Sequence, residues 1–276
     1  RRCGRASTPP TTPCPSWRAD LIDAPPATFD DLLKLGRKLI MPGFGPDLFL
    51  NWLMLLHALD ARPFGSRNAL ADRPAAREAV ALLQHLAHHM PREIEHWNPI
   101  RVNELLASAD DFAYCPFAYS YNNYSRPRFG RRQVRYGNLV SLNGRRLRRI
   151  VGGTGIAISN RCTHVEQAIE HALFVASDDV QSGLYATAGG QPAAAAAWDD
   201  PLVNSITGDF FRNTRIALDE SIVRPRYPGY VPLQEHAGAA LQACVIRAEC
   251  SPDWAIDTID AAYRRSLPHG ASMPQL

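Results

Sequence analysis

A chain of 276 residues with 46% hydrophobic side chains is long enough for one large domain or two of ordinary size and can bury a sizeable core. Its formal charge of +3 sets up no global field toward nucleic acid or an anionic membrane, even though all but two of its thirty basic residues, Lys34 and Lys38, are arginine. The six cysteines include no CxxC pair, so neither a zinc framework nor a disulfide scaffold is signalled and buried free thiols are expected. No apolar run reaches the length of a membrane span, because the longest, Leu48 to Leu59, is broken by Asn51 and His57.

Residues 1–16 carry charges and then crowded prolines and threonines, with no apolar period and no hydrophobic region of a signal peptide, and read as an irregular segment. Thr28 with Asp31 three residues on predicts a capped helix start. Pro46 opens a strongly apolar helix to about Leu59, and Pro74 opens another whose face is Ala79, Leu82, Leu83, Leu86 and Met90. A short helix after Asn98-Pro99 leads into AYCPFAYSYNNYS, where Phe117, Tyr119 and Tyr121 alternate with small residues and so share one side of an extended segment.

From Gln133 to Ser159 short apolar pieces broken by Asn143-Gly144 and Gly152-Gly153 predict strands with a hairpin. Thr163 with Glu166 predicts a second capping box, for a helix to Ala176, and Ser177 caps the next. Helices are then expected around Pro201 to Thr207, Asp209 to Ser221, Leu233 to Ala248, and after Ser251-Pro252, with the loop RPRYPGYVP among them. This mixture makes α/β the expected class.

Three readings compete for the ring-rich stretch: a core strand, a stacking surface for single-stranded nucleic acid, or the wall of a sugar pocket. Nine arginines between Arg126 and Arg149 could serve the second, but they spread over strands, turns and a hairpin. His85, His88 and His89 are helical neighbours without the glutamate of HExxH, so a solvated face is expected and no metal. GGTG, Gly152 to Gly155, lacks the third glycine of a dinucleotide fingerprint and the lysine of a P-loop, yet lets backbone approach a ligand closely. A glycan-processing enzyme would need paired carboxylates, and none can be nominated. RPRYPGY, Arg224 to Tyr230, combines rings with guanidinium groups, as carbohydrate recognition requires: apolar sugar faces lie on aromatic rings while planar polar groups bond the hydroxyls.

PPATFDDLLKLGRKL, PGFGPDLFLNWLMLLHAL, DFAYCPFAYSYNNYS, LVSLNG with GGTGIAIS, HVEQAIEHALFVASDDVQSGLYATAGGQP, AAWDD, and FFRNTRIALDESIVRPRYPGY with LQEHAGAAL follow one another in a telling order. Together they resemble the C-terminal two-thirds of a bacterial extracellular solute-binding protein of the family that serves ABC importers of sugars, from about Trp17 to about Leu267. The resemblance implies a periplasmic-binding-protein-like fold of two α/β lobes with ligand held between them, no catalysis and no cofactor. It makes residues 17–137 the first part of the second lobe, 138–188 the returning segment of the first lobe, and 189–276 the closing helices of the second lobe. Most of the first lobe has no counterpart, so that lobe is expected to be incomplete and the chain a truncated form.

The same resemblance assigns Phe117, after a proline, to a ring position that stacks on sugar, with Tyr119 and Tyr121 along the same wall. Gly152, Gly153 and Thr154 would supply backbone and hydroxyl contacts, and Arg224, Tyr227 and Tyr230 the opposite wall, with Asp47 and Asn51 as further candidates. The implied partners are a sugar or polyol and the permease subunits of an ABC transporter, with no nucleic acid. A periplasmic or extracellular monomer is expected.

Overall fold

In the computed structural model, which describes residues 13–268, the chain enters as strand β1 (Pro13–Trp17), with β2 (Tyr114–Tyr119) on one side and β3 (Arg135–Tyr136) on the other, both antiparallel. Residues 13–16, expected to be irregular, are therefore strand. Prolines hid the signal because they cannot donate to a ladder, yet both occupy positions a sheet tolerates. Pro13 is the first residue of β1, and Pro15 falls where the register slips between Cys14 and Ser16. Residues 1–12 of the expected irregular segment lie outside the described residues.

Helix α1 (Phe29–Leu33) starts with the reciprocal Thr28 and Asp31 capping box. Helices α2 (Gly45–Ala58), α3 (Arg73–His88) and α4 (Pro99–Ser108) each carry proline in the first turn, where a missing N–H costs nothing, and Asp72 and Asn98 cap the latter two. The strongly apolar character of α2 is explained by burial on nearly every side, and α3 buries the Ala79, Leu83 and Leu86 face. Strands β4 (Ser141–Leu142) and β5 (Arg145–Arg146) form the expected hairpin, with Asn143 and Gly144 both at positive φ as its tight turn demands.

Strand β6 (Ile150–Val151) then leaves the antiparallel meander. After α5 (Val165–Ala176), α6 (Asp178–Val180), α7 (Ala195–Asp199), α8 (Pro201–Ile206) and α9 (Phe210–Asp219), strand β7 (Ile222–Val223) pairs with it in parallel. Helix α10 (Tyr230–Leu241) runs on into a π-helical turn, Gln242–Ile246, and α11 (Pro252–Ser266) starts at the Ser251 cap.

Two expectations between β6 and α6 fail. The segment Ile156–Ser159 is unpaired and largely exposed rather than a strand. The Thr163 and Glu166 capping box does not form, because α5 begins at Val165 with His164 at its N-cap, leaving Thr163 one residue too far out. Helix α5 buries only Ala172, while Val165, Ile169 and Leu173, spaced to lie along one side, stand exposed, Leu173 at 63%.

The main core lies between α2, α3, α10, α11 and the β1 sheet. Helices α2 and α10 touch backbone to backbone: a Cβ on Gly238 would stand 2.3 Å from the carbonyl carbon of Gly45. Only glycine permits that approach, and it fixes the first turn of α2 against the last turn of α10. Among the described residues no helix is long and apolar enough to cross a membrane, and no group of three metal-ligating side chains forms around His85, His88 and His89 or elsewhere.

Candidate ligand-binding cleft

The parallel pair β6 and β7 organises the site. Ile150 lies beside Ile222 and Val151 beside Val223, so Gly152–Thr154 and the loop from Arg224 leave the same end of the pair side by side. Open parallel strands place ligands beyond their C-terminal ends, where successive loops and helix N-termini converge. Here that end receives the tip of β2 with Tyr119, the first turns of α2 with Asp47 and Asn51, and the start of α10 with Tyr230.

Electrostatics shows which groups are neighbours. The Tyr119 hydroxyl is pushed up to about 12 by burial, lowered in part by Arg224 and raised by Asp47 and Tyr121. Burial likewise raises Tyr230, which feels Arg224, Tyr119 and Tyr227. Tyr119 and the arginine–tyrosine loop therefore lie within electrostatic reach of one another. Tyr227 packs edge-on to Tyr230 with ring centroids 6.1 Å apart and its hydroxyl is 2.9 Å from Ser266. Arg224 donates to Gln234 Oε1 at 3.4 Å.

Asp47 has its carboxyl pushed up to about 7, solely by burial, and it is in no ion pair among the described residues. Asn51 Nδ2 and the hydroxyls of Tyr119 and Tyr230 are buried with no hydrogen-bond partner among the described residues. Buried polar groups are ordinarily satisfied, so these three groups, with the desolvated Asp47 carboxyl near Tyr119, form an unfilled hydrogen-bonding set.

The remaining sequence candidates differ in placement. Phe117 is only 1% exposed; with Pro13, Pro42, Leu50 and Asn51 it lines a crevice too narrow for a water molecule, so its ring presents no open face. Tyr121 is half-buried and edge-on to Tyr124. Gly152 is half-buried beside Arg224, whereas Gly153 and Thr154 are exposed. The neighbouring Asn122 ties its loop to the Gly190 carbonyl and Gln191. Sequence reading missed Pro13 and Pro42 beside Tyr119 and Asp47; the β1 register, with Pro13 opposite Tyr119, was concealed by the same prolines.

The arginines that suggested a nucleic-acid surface are largely occupied. Arg149 is buried on Cys14 and the Gly137 carbonyl, Arg126 bonds Asn122 and the Ala186 carbonyl, and Arg148 bonds the Glu220 carbonyl. Arg132, Arg145 and Arg146 face Asp110, Asp60 and Glu220.

No protein-family model matches the sequence and no curated protein does. Solved structures do match. The maltose-bound MalE3 of T. maritima superposes with a TM-score of 0.77 at 18% identity, over 95% of this chain and 72% of its own. A solute-binding protein of an ABC transporter from Agrobacterium radiobacter, in complex with ribitol, gives 0.77 at 17% over 95% and 71%. One from Thermotoga lettingae, bound with α-D-tagatose, gives 0.77 at 16% over 94% and 71%. The chain thus has the α/β, two-lobe fold of periplasmic binding proteins, with one lobe incomplete.

Proposed function

We propose that this chain is the larger part of the substrate-binding component of an ABC importer, which captures a sugar or polyol between two lobes and delivers it to membrane permease subunits. The observation that carries the reading is the grouping of Tyr119, Asp47, Arg224 and Tyr230 beyond the β6 and β7 ends, with the hydroxyls of Tyr119 and Tyr230 left without hydrogen-bond partners among the described residues. Arg224 donates to ligand oxygens, Asp47 and Asn51 take and give hydrogen bonds at hydroxyls, and Tyr121, Tyr227 and Tyr230 provide ring surface. Gly152, Gly153 and Thr154 contribute from the other lobe, and Phe117 supports the Tyr119 wall from behind.

Residues 17–137 and 189–276 form the second lobe in this reading, and 138–188 return to the first. The exposed Val165, Ile169 and Leu173 side of α5 is the face on which the rest of the first lobe packs. Ligand contacts both lobes only when they close, so binding shifts an open and closed equilibrium and the permease reads the closed form. No chemistry is done: Asp47 has no second carboxylate acting on it, whereas glycoside hydrolysis uses two. The protein works as a periplasmic or extracellular monomer.

Ligand binding to the native state raises the melting temperature, so a thermal-shift screen over mono-, oligosaccharides and polyols tests the reading. A shift is expected once the chain is extended by the rest of its first lobe, and weak or no binding by the 276-residue chain alone. Tight sugar binding by the isolated chain would contradict the two-lobe mechanism. Steeply salt-dependent oligonucleotide binding would instead favour a nucleic-acid module.

A further inference from the structure

Cys244 lies in the π-helical turn that ends α10, and Cys250 stands immediately before the Ser251 cap of α11. Between them the backbone doubles back. The Arg247 N–H donates to the Gln242 carbonyl at 3.1 Å, the Glu249 N–H donates to the Ala243 carbonyl at 2.8 Å, and Ala248 takes a left-handed φ of 56°. Because the Ala243 carbonyl and the Glu249 N–H are bonded, the next residues along on each side, Cys244 and Cys250, are brought close together across the reversal. Gln84 holds the other side of Cys244, its amide reaching the carbonyl at 3.2 Å and the sulfur at 3.6 Å. Cys244 is buried, but Cys250 is half-buried on the wall of an open groove of about 530 Å³ that Ala243, Glu249, Ser251 and Trp254 also line.

We propose that Cys244 and Cys250 are a dithiol that closes to an intrachain disulfide on contact with a small-molecule disulfide. The Cys250 thiolate, reachable from the groove, attacks one sulfur of the oxidant and expels a thiolate, leaving a mixed disulfide at Cys250. The Cys244 thiolate then attacks the Cys250 sulfur and expels the second thiolate. Two protein S–H bonds are lost, one S–S bond forms, and the oxidant is reduced to two thiols. Burial raises both thiols, Cys244 to about 12, so exchange quickens as pH rises. The bond would staple the end of α10 to the start of α11 and does not depend on what the cleft binds.

The test uses the native chain incubated with oxidised glutathione, quenched with acid, alkylated and digested with trypsin. Cleavage after Arg247 separates the two cysteines, so the disulfide appears as a pair of peptides that travel together until reduced. That cross-linked pair is the expected product, with a rate rising with pH. Cys162, half-buried on another segment, serves as an internal control expected to take glutathione without cross-linking. Cys244→Ser should convert the product to a glutathione adduct on Cys250, and Cys250→Ser, at the more exposed position, should leave Cys244 unmodified. A stable glutathione adduct on Cys250 of the unaltered chain, cross-linking of Cys250 to a different cysteine, or free thiols at both positions after oxidation would each overturn the proposal.

Discussion

Tyr230, placed in the proposed site, carries a hydroxyl that costs the ligand-free protein stability. Its ring is buried against Phe64 and Tyr227, but its hydroxyl has no partner among the described residues. An unsatisfied buried hydroxyl costs about 1–3 kcal/mol. Tyr230→Phe should therefore raise the urea-unfolding free energy of the ligand-free protein by about 1 kcal/mol, while weakening sugar affinity about tenfold in the completed protein. Loss of both stability and affinity would show instead that the hydroxyl is structural.

Asp47 and His57, on one helix, carry opposite pH signatures. Burial raises Asp47 to about 7 and, with Arg148 adding a smaller push, lowers His57 to about 4. An acid whose folded value is raised binds a proton the unfolded chain has lost, so its contribution falls as pH rises from the ordinary 3.8 to about 7. A histidine held neutral does the reverse, losing stability as pH falls from 6.5 to about 4. Between those limits the two slopes, each about 1.4 kcal/mol per pH unit, oppose one another. Urea unfolding from about pH 4 to 6.5 should show stability climbing with pH in Asp47→Asn and falling in His57→Gln. Parallel profiles for both variants and the unaltered protein would refute the burial of these groups.

At the scale of elements, the contact between α2 and α10 positions the cleft. Gly238→Ala gains helix propensity of about 1 kcal/mol. The new methyl, however, would meet the Gly45 backbone at 2.3 Å, and backbone cannot give as a flexible side chain can. Overpacking wins, and a net loss of about 2 kcal/mol is expected in urea unfolding. In contrast, Leu173→Glu on the exposed side of α5 should alter stability by less than about 0.5 kcal/mol while reducing binding of an apolar dye. A large stability loss there would mean that α5 is already covered.

Elements were legible where the chain announces them locally. Thr28 with Asp31, the prolines opening α2, α3 and α4, the Asn143-Gly144 turn and the Ser251 cap each act within a few residues, and each stands where it was expected. Strand β1 was not legible because Pro13 and Pro15 mask it and its partners are remote, at Tyr114–Tyr119 and Arg135–Tyr136. For the cleft, the residue types in RPRYPGY and the tyrosine stretch pointed to ring and guanidinium chemistry. Their meeting depends on the parallel pairing of Val151 with Val223, which no local pattern encodes. Alternation put Phe117, Tyr119 and Tyr121 on one side of an extended segment, yet β2 is buried on both faces, so alternation there distinguishes no solvent side.

For the whole molecule, α2, α3, α10, α11 and the β1 sheet share a continuous core, whereas the segment after β6 is mostly exposed through α5. In the proposed two-lobe reading, that exposed segment is where the first lobe's further residues would pack. Wild-type chain and an Arg224→Ala variant, each extended with the rest of the first lobe, should be titrated calorimetrically with maltose, ribitol, tagatose and related ligands. Saturable binding of at least one ligand is predicted, weakened about tenfold or more by the loss of the charged donor at Arg224. Absence of binding across the series, or an Arg224→Ala titration that overlays the wild type, would contradict the cleft described here.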